Sequence, residues 1–284
     1  MGANKTIPVF YSPAYARSAY SFETTRKAKW IAESLVRDPI PGIELIEPKP
    51  LTEAQVTAVH DPAYVRAVKT GRPRSIAESN GFPWDANLWD MVLASNGGTV
   101  EAALAALKYG VAGSLSSGLH HAHYDRGAGY CTFNGLVIAA REALAAGAKN
   151  VLILDLDAHY GDGTAELIAD EPRIRQIDVT TGRLRDDYLL TIRRELVAAD
   201  RPDLCLYNAG MDPYEGCSLG GHPGITRQVL AERERLMFDW FVSRKIPIAF
   251  VLAGGYTGDR LDKRGLVGLH RLTLSCAAEA GLSV

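Results

Sequence analysis

Short unbroken apolar runs recur along the chain, separated by longer stretches in which apolar positions fall three and four residues apart. Pro8 to Tyr11, Val151 to Leu154, Leu204 to Tyr207 and Ile248 to Leu252 are of the first kind and predict strands, as do Ile43 to Ile46 and Ile174 to Val179, whose apolar residues are interrupted by polar ones. Glu23 to Val36, Glu53 to Val59, Gly98 to Leu107, Asn134 to Ala146, Thr226 to Ser243 and Arg264 to Ala278 are of the second and predict helices. Thr52 with Gln55 makes a capping box at the second helix, and Gly147 is placed to end the fourth. Strands alternating with helices argue for a three-layer αβα domain, its mainly parallel central sheet covered on both faces. The alanines at 102, 103, 105 and 106 read as a close-packed core face rather than a partner surface.

The most unusual feature is where charge follows an apolar run. Directly after Leu154 stands Asp155-Leu156-Asp157-Ala158-His159-Tyr160-Gly161-Asp162-Gly163-Thr164. Continued strand alternation would put Asp155, Asp157 and His159 on one face at a strand's C-terminal end. Carboxylate with imidazole suits a borderline divalent ion such as zinc, and parallel sheets place ligand sites just past strand ends. A solvated βα loop is the plainer alternative, because turns and helix caps also favour Asp and Gly. Three further fragments supply complementary groups: tandem histidines in Gly118-Leu119-His120-His121-Ala122, a strand-end carboxylate in Asn208-Ala209-Gly210-Met211-Asp212, and a phenol in Gly254-Gly255-Tyr256. Each alone also reads as a polar loop, a cap or a turn; together and in this order they make a coherent set.

With Gly129-Tyr130-Cys131-Thr132-Phe133-Asn134 added, the chain resembles over most of its length the zinc-dependent histone deacetylase superfamily, which includes acetylpolyamine amidohydrolases and shares the arginase-type fold. The resemblance implies Zn²⁺ held by Asp157, His159 and Asp212, with His121 as general base and acid and Tyr256 as oxyanion donor. His120 becomes an electrostatic partner, and Asp155 and Asp162 the carboxylates that orient His120 and His121. Gly129 would let an extended substrate pass and Tyr130 would wall a narrow acyl-chain tunnel. These roles agree with the chemistry. Three protein ligands leave a tetrahedral zinc one open position, a near-neutral imidazole can take and return a proton, and a carboxylate behind each imidazole fixes its tautomer. The implied activity is removal of an acetyl or related short acyl group from an amine.

The pattern also departs from the resembled family. Tyr160 stands where many relatives have a second histidine, and the stretch from Asp170 to Arg201 is shorter than their usual crossover. It offers neither a second aromatic wall nor a Gly-rich rim loop, so carbonyl-built potassium sites are not expected there. The tunnel should be shallower or wider on that side unless another subunit of a homo-oligomer closes it. Two other readings stay open. One is a two-manganese ureohydrolase, although Asp157-Ala158-His159-Tyr160-Gly161-Asp162 is displaced by one residue from that pattern. The other is a catalytically silent binding protein. Trp84 reads equally as a rim aromatic or a loop anchor.

Composition narrows the setting. A chain of 284 residues that is 47% hydrophobic can fill one large α/β core, and no linker divides residues 1–284. Net charge is −2 with basic and acidic residues interspersed, which excludes a nucleic-acid-binding stripe. The four cysteines form no C-x-x-C pair and no disulfide framework, so a reducing cytoplasm is the expected compartment. No signal segment or membrane span is visible, and the N-terminal Met1-Gly2-Ala3-Asn4-Lys5-Thr6 match to a myristoylation pattern is too short to carry weight.

Overall fold

A computed structural model describes residues 6–20, 22–184 and 187–282. Among them are seven strands: β1 (Ile7–Phe10), β2 (Ile43–Ile46), β3 (Val111–Ser114), β4 (Val151–Asp155), β5 (Ile174–Asp178), β6 (Leu204–Asn208) and β7 (Ile248–Val251). All pair in parallel in the spatial order β2-β1-β3-β7-β6-β4-β5. The helices are α1 (Glu23–Arg37), α2 (Glu53–Thr57), α3 (Pro62–Thr70), α4 (Arg74–Ala77), α5 (Leu88–Tyr109), α6 (Gly135–Ala145), α7 (Asp162–Leu167), α8 (Tyr188–Ala198), α9 (Arg227–Ser243) and α10 (Lys263–Gly281). Among the described residues no helix is long and apolar enough to cross a membrane.

The apolar runs work because both faces of the sheet are covered. Alternate residues of the inner strands point to opposite cores: Leu152 and Leu154 join one with Cys205, Tyr207, Ile248 and Phe250, while Val151 and Ile153 join the other with Leu204, Leu206, Ala249 and Val251. The first core is closed by α1, α8, α9 and α10 through residues such as Ile31, Ile192, Met237 and Leu274. Helices α2, α3, α5 and α6 close the second through Val56, Val65, Ala103 and Val137. Each fully buried Leu, Ile or Val contributes about 2 kcal/mol by leaving water. Edge strand β2, by contrast, leaves Glu44, Leu45 and Ile46 exposed.

Three sequence expectations need correction. Strand β3 went unrecognised because Val-Ala-Gly-Ser has a single β-branched residue and no aromatic to mark a strand, yet all four residues are buried. Helix α5 does not start at Gly98 but runs from Leu88 straight through Gly97 and Gly98. A Cβ at Gly98 would stand 1.7 Å from the Tyr15 hydroxyl and one at Gly97 2.1 Å from the Lys49 carbonyl, so the glycines permit close approach rather than ending the helix. Helices α3 and α8 were also missed, although Asp61 and Asp187 each cap their first turn by accepting a backbone N–H. The Thr52–Gln55 capping box is present with both reciprocal bonds.

Strands β3, β7, β6 and β4 are neighbours, so the loops that follow their C-terminal ends converge. The chain passes from β3 to β4 across two strand positions that are filled only later by β6 and β7. The crevice at such a switch is where open α/β sheets hold ligands.

Candidate metal and catalytic centre

The acidic run after β4 does not continue the strand. Pairing ends at Asp155, and the next residues are shaped by their own carboxylates: Asp155 Oδ1 accepts the Asp157 N–H at 3.1 Å and Asp157 Oδ1 accepts the His159 N–H at 3.0 Å. Two successive Asx turns, not strand alternation, therefore present Asp157 and His159. Asp212, in the loop after β6, comes in from the side, its Oδ1 accepting the Ala158 N–H at 3.0 Å. One donor atom from each of Asp157, His159 and Asp212 lies within 4.8 Å of the others. His159 Nδ1 sits 3.1 Å from Asp157 Oδ1 and 2.9 Å from Asp212 Oδ2.

This donor set fits a divalent ion. Two carboxylates and an imidazole match the ligand chemistry of zinc, and the pocket is shaped for close approach. A Cβ on Gly254 would fall 2.4 Å from both Asp157 Oδ2 and Asp212 Oδ2, while the Gly254 N–H donates to Asp157 Oδ2 at 2.8 Å. The electrostatics favour positive charge between the two carboxylates. Burial, then the Asp157 charge, pushes Asp212 up to about 7, and hydrogen bonds to Asp157 and Asp212 raise His159 to about 10. The imidazole proton between the two carboxylates stands where a cation would.

Beside the triad lie two imidazole–carboxylate dyads. His120 Nδ1 donates to Asp155 Oδ2 at 2.7 Å, and Asp155 Oδ1 also accepts the Asn208 side-chain amide at 2.8 Å. His121 Nδ1 donates to Asp162 Oδ1 at 2.7 Å. The environments drive the rings apart. Burial opposes a proton on His120, but Asp155 and Asp157 prevail and raise it to about 10. His121 is lowered, first by burial and then by the neighbouring His120 charge. Two neighbouring imidazoles with opposite proton preferences are what paired acid and base chemistry requires.

Residues 21–181, more than half of the length, match the family model described as the histone deacetylase domain. The chain belongs to the histone deacetylase family. It is 34% identical to an uncharacterised protein of Picosynechococcus sp. over 81% of this chain and 83% of that one, and 27% identical to histone deacetylase 2 of Arabidopsis thaliana over 88% and 74%. The acetoin utilization protein AcuC of Bacillus subtilis matches at 30% over 49% of this chain and 39% of its own. The crystal structure of the HDA15 HD domain superposes with a TM-score of 0.79 at 20% identity, covering 97% of this chain and 90% of that one. The fold is shared at that distance.

Gly129 and Tyr130 border the Asp157–His159–Asp212 centre from the loop before α6. Gly129 is exposed, and a Cβ there would meet the His121 ring at 2.5 Å. Tyr130 stacks on Phe82 with ring centroids 5.1 Å apart and packs on Phe22 at 4.6 Å, and Phe22 also reaches Tyr256 at 5.5 Å. The aromatic partners of Tyr130 thus come from the N-terminal half. Within the 170–201 stretch Tyr188 is buried against Arg233, and the His159 side chain remains 41% exposed. Trp84 is a loop anchor: its Nε1–H donates to the Val68 carbonyl at 2.6 Å and Arg74 lies over its ring.

Several supporting residues escaped sequence reading because only three-dimensional placement reveals them. Glu166 accepts from His123 Nδ1 at 2.6 Å, and His123 Nε2 lies 3.5 Å from Asp162 Oδ2, so a third histidine–carboxylate pair backs the His121 dyad. His60, fully buried, accepts the Asn134 N–H at Nε2 (3.0 Å) and so must donate from Nδ1 to the His123 carbonyl (2.8 Å). Asn134 in turn caps α6 and reaches the His120 and Ala122 carbonyls at 3.4 Å, which ties His60 to the tandem-histidine loop. Burial lowers His60 to about 4, against an ordinary value of about 6.5. Because the folded value is depressed, its contribution is present above pH ~6.5 and is lost as pH falls through about 4, on the order of 3 kcal/mol in all. Denaturant melts between pH 7 and pH 4 should show that loss and a smaller one in His60→Gln; identical profiles would rule it out.

Proposed function

We propose that residues 1–284 form one catalytic domain that hydrolyses the amide bond of N-acetyl or short N-acyl amines with zinc at Asp157, His159 and Asp212. The observation that carries this reading is the convergence of those three ligands beside two histidine–aspartate dyads of opposite proton preference. A bound zinc ion would polarise the acyl carbonyl and lower the pKa of the attacking water. His121, with Nδ1–H committed to Asp162, keeps Nε2 free to take a proton from that water. As the new C–O bond forms and the C–N bond breaks, the same nitrogen returns the proton to the leaving amine. His120, held by Asp155, supplies positive charge beside the centre. Tyr256 donates its hydroxyl hydrogen bond to the developing oxyanion, and Gly129 and Tyr130 receive the acyl-amine chain.

Tyr256→Phe keeps the ring against Phe22 and deletes only the donor, so kcat should fall by about a hundredfold or more with KM little changed. A Phe variant with unchanged kcat would return the phenol to a packing role.

One such triad is found among the described residues, and Asp155 and Asp162 are committed to His120 and His121, which disfavours a two-manganese centre. The deciding experiment compares specificity constants on acetyl-lysine peptides, acetylated polyamines and small N-acyl amines, with metal counted per chain. Turnover with one zinc supports the proposal. Two metals per chain would point to a ureohydrolase, and no turnover at saturating zinc to a binding protein.

A further inference from the structure

Tyr256 has no regular structure to hold it. Strand β7 ends at Val251, Gly254 and Gly255 precede the tyrosine, and Gly255 lies at φ 148°, in territory that side chains avoid. Its backbone is nevertheless bound on both sides by one atom. The Tyr256 N–H donates to Cys217 Sγ at 3.0 Å, and the Cys217 S–H donates to the Tyr256 carbonyl at 3.2 Å. Among the described residues the sulfur is the sole partner of that N–H group, while the carbonyl also takes a long bond from the Ser218 N–H at 3.5 Å. Both residues are buried, so water is poorly placed to substitute. A thiol can serve because it is donor and acceptor at once, and burial, then the Asp212 charge, keeps it protonated by pushing it up to about 12.

We infer that Cys217 is the positioning residue for Tyr256, its thiol clamping the tyrosine backbone so that the phenol stands at a set distance from the ligand Asp212. Cys217 lies in the loop that carries Asp212, with its own N–H bonded to the Tyr214 carbonyl at 2.8 Å. The segment continues along the tyrosine loop, where a Cβ on Gly258 would meet Ser218 Cβ at 2.8 Å. One stretch of chain therefore holds both the metal ligand and the clamp on the oxyanion donor. The inference rests on the oxyanion role proposed for Tyr256.

The test is a double-mutant cycle on zinc-loaded protein, with kcat, KM and zinc content measured on an acetyl-lysine peptide. Cys217→Ala should lower kcat about tenfold or more, because a buried N–H loses its partner, with KM within about twofold and zinc retained. Cys217→Ser, which keeps a donor and an acceptor, should recover most of the loss. Cys217→Val fills the volume that alanine vacates and should match the alanine variant. In the Tyr256→Phe background Cys217→Ala should cost nothing further, since the group it positions is gone. Wild-type kcat in the alanine or valine variant would overturn the clamp, as would the same tenfold fall in the Tyr256→Phe background. If Tyr256→Phe itself keeps full kcat, the phenol's role fails; a fall there with none at Cys217 sinks the clamp alone.

Discussion

His159→Ala should leave the protein without stoichiometric zinc and without measurable turnover. Asp157 and Asp212 would remain, but two buried carboxylates alone make an incomplete shell, and a metal bound by fewer ligands is lost on dialysis. The half-exposed His159 side chain contributes little to the cores, so the fold should survive and a thermal melt should stay cooperative. Asp212→Asn should act in the same direction with an added cost, because its Oδ1 also accepts the Ala158 N–H and helps to shape the ligand loop. Metal analysis after dialysis, run beside an activity assay, checks both. One equivalent of zinc and normal turnover in His159→Ala would remove it from the ligand set.

His121→Ala should reduce kcat by about a hundredfold or more while zinc stays bound, because a proton carrier is lost and no ligand is. The pH profile sharpens this. His121 lies below its ordinary value through burial and the adjacent His120 charge, so its proton-accepting form dominates above pH ~6.5. kcat/KM should therefore rise with pH on the acid side with an apparent pKa below ~6.5, and that limb should vanish in the variant. Asp162→Asn should give a smaller loss than His121→Ala, since an amide can still meet Nδ1 but no longer enforces the tautomer. Equal activity and equal zinc in His121→Ala and His159→Ala would overturn both assignments together.

Much of the architecture is legible in the pattern of residues because its cause is local. Val151–Leu154, Leu204–Tyr207 and Ile248–Leu252 are unbroken apolar runs, which a strand needs only when both faces are covered, and the parallel sheet follows. Where local signals conflict with packing, the sequence misleads. Gly97-Gly98 reads as a break and is instead a contact surface inside α5, while Val111-Ala-Gly-Ser114 reads as nothing and is a central strand. Their structure is decided by partners distant in the sequence, such as Tyr15 and Lys49 against α5 and Phe250 against β3.

The candidate site divides in the same way. Its chemistry is written in the sequence: an acidic run after an apolar strand, paired histidines, a strand-end aspartate and a Gly-Gly-Tyr, together with the family they resemble. What the linear chain does not contain is the arrangement. The spatial order β3-β7-β6-β4 places His120, Tyr256, Asp212 and Asp157 on adjoining loops although they span residues 120 to 256. Contacts that depend on one group facing another were therefore invisible until the chain was folded: His60 beneath the histidine loop, the Phe22–Tyr130–Phe82 ring cluster, and the Cys217 thiol against the Tyr256 backbone. Residue type determines which proton, ligand or donor a position can offer; only the tertiary fold decides what lies within hydrogen-bond reach of it.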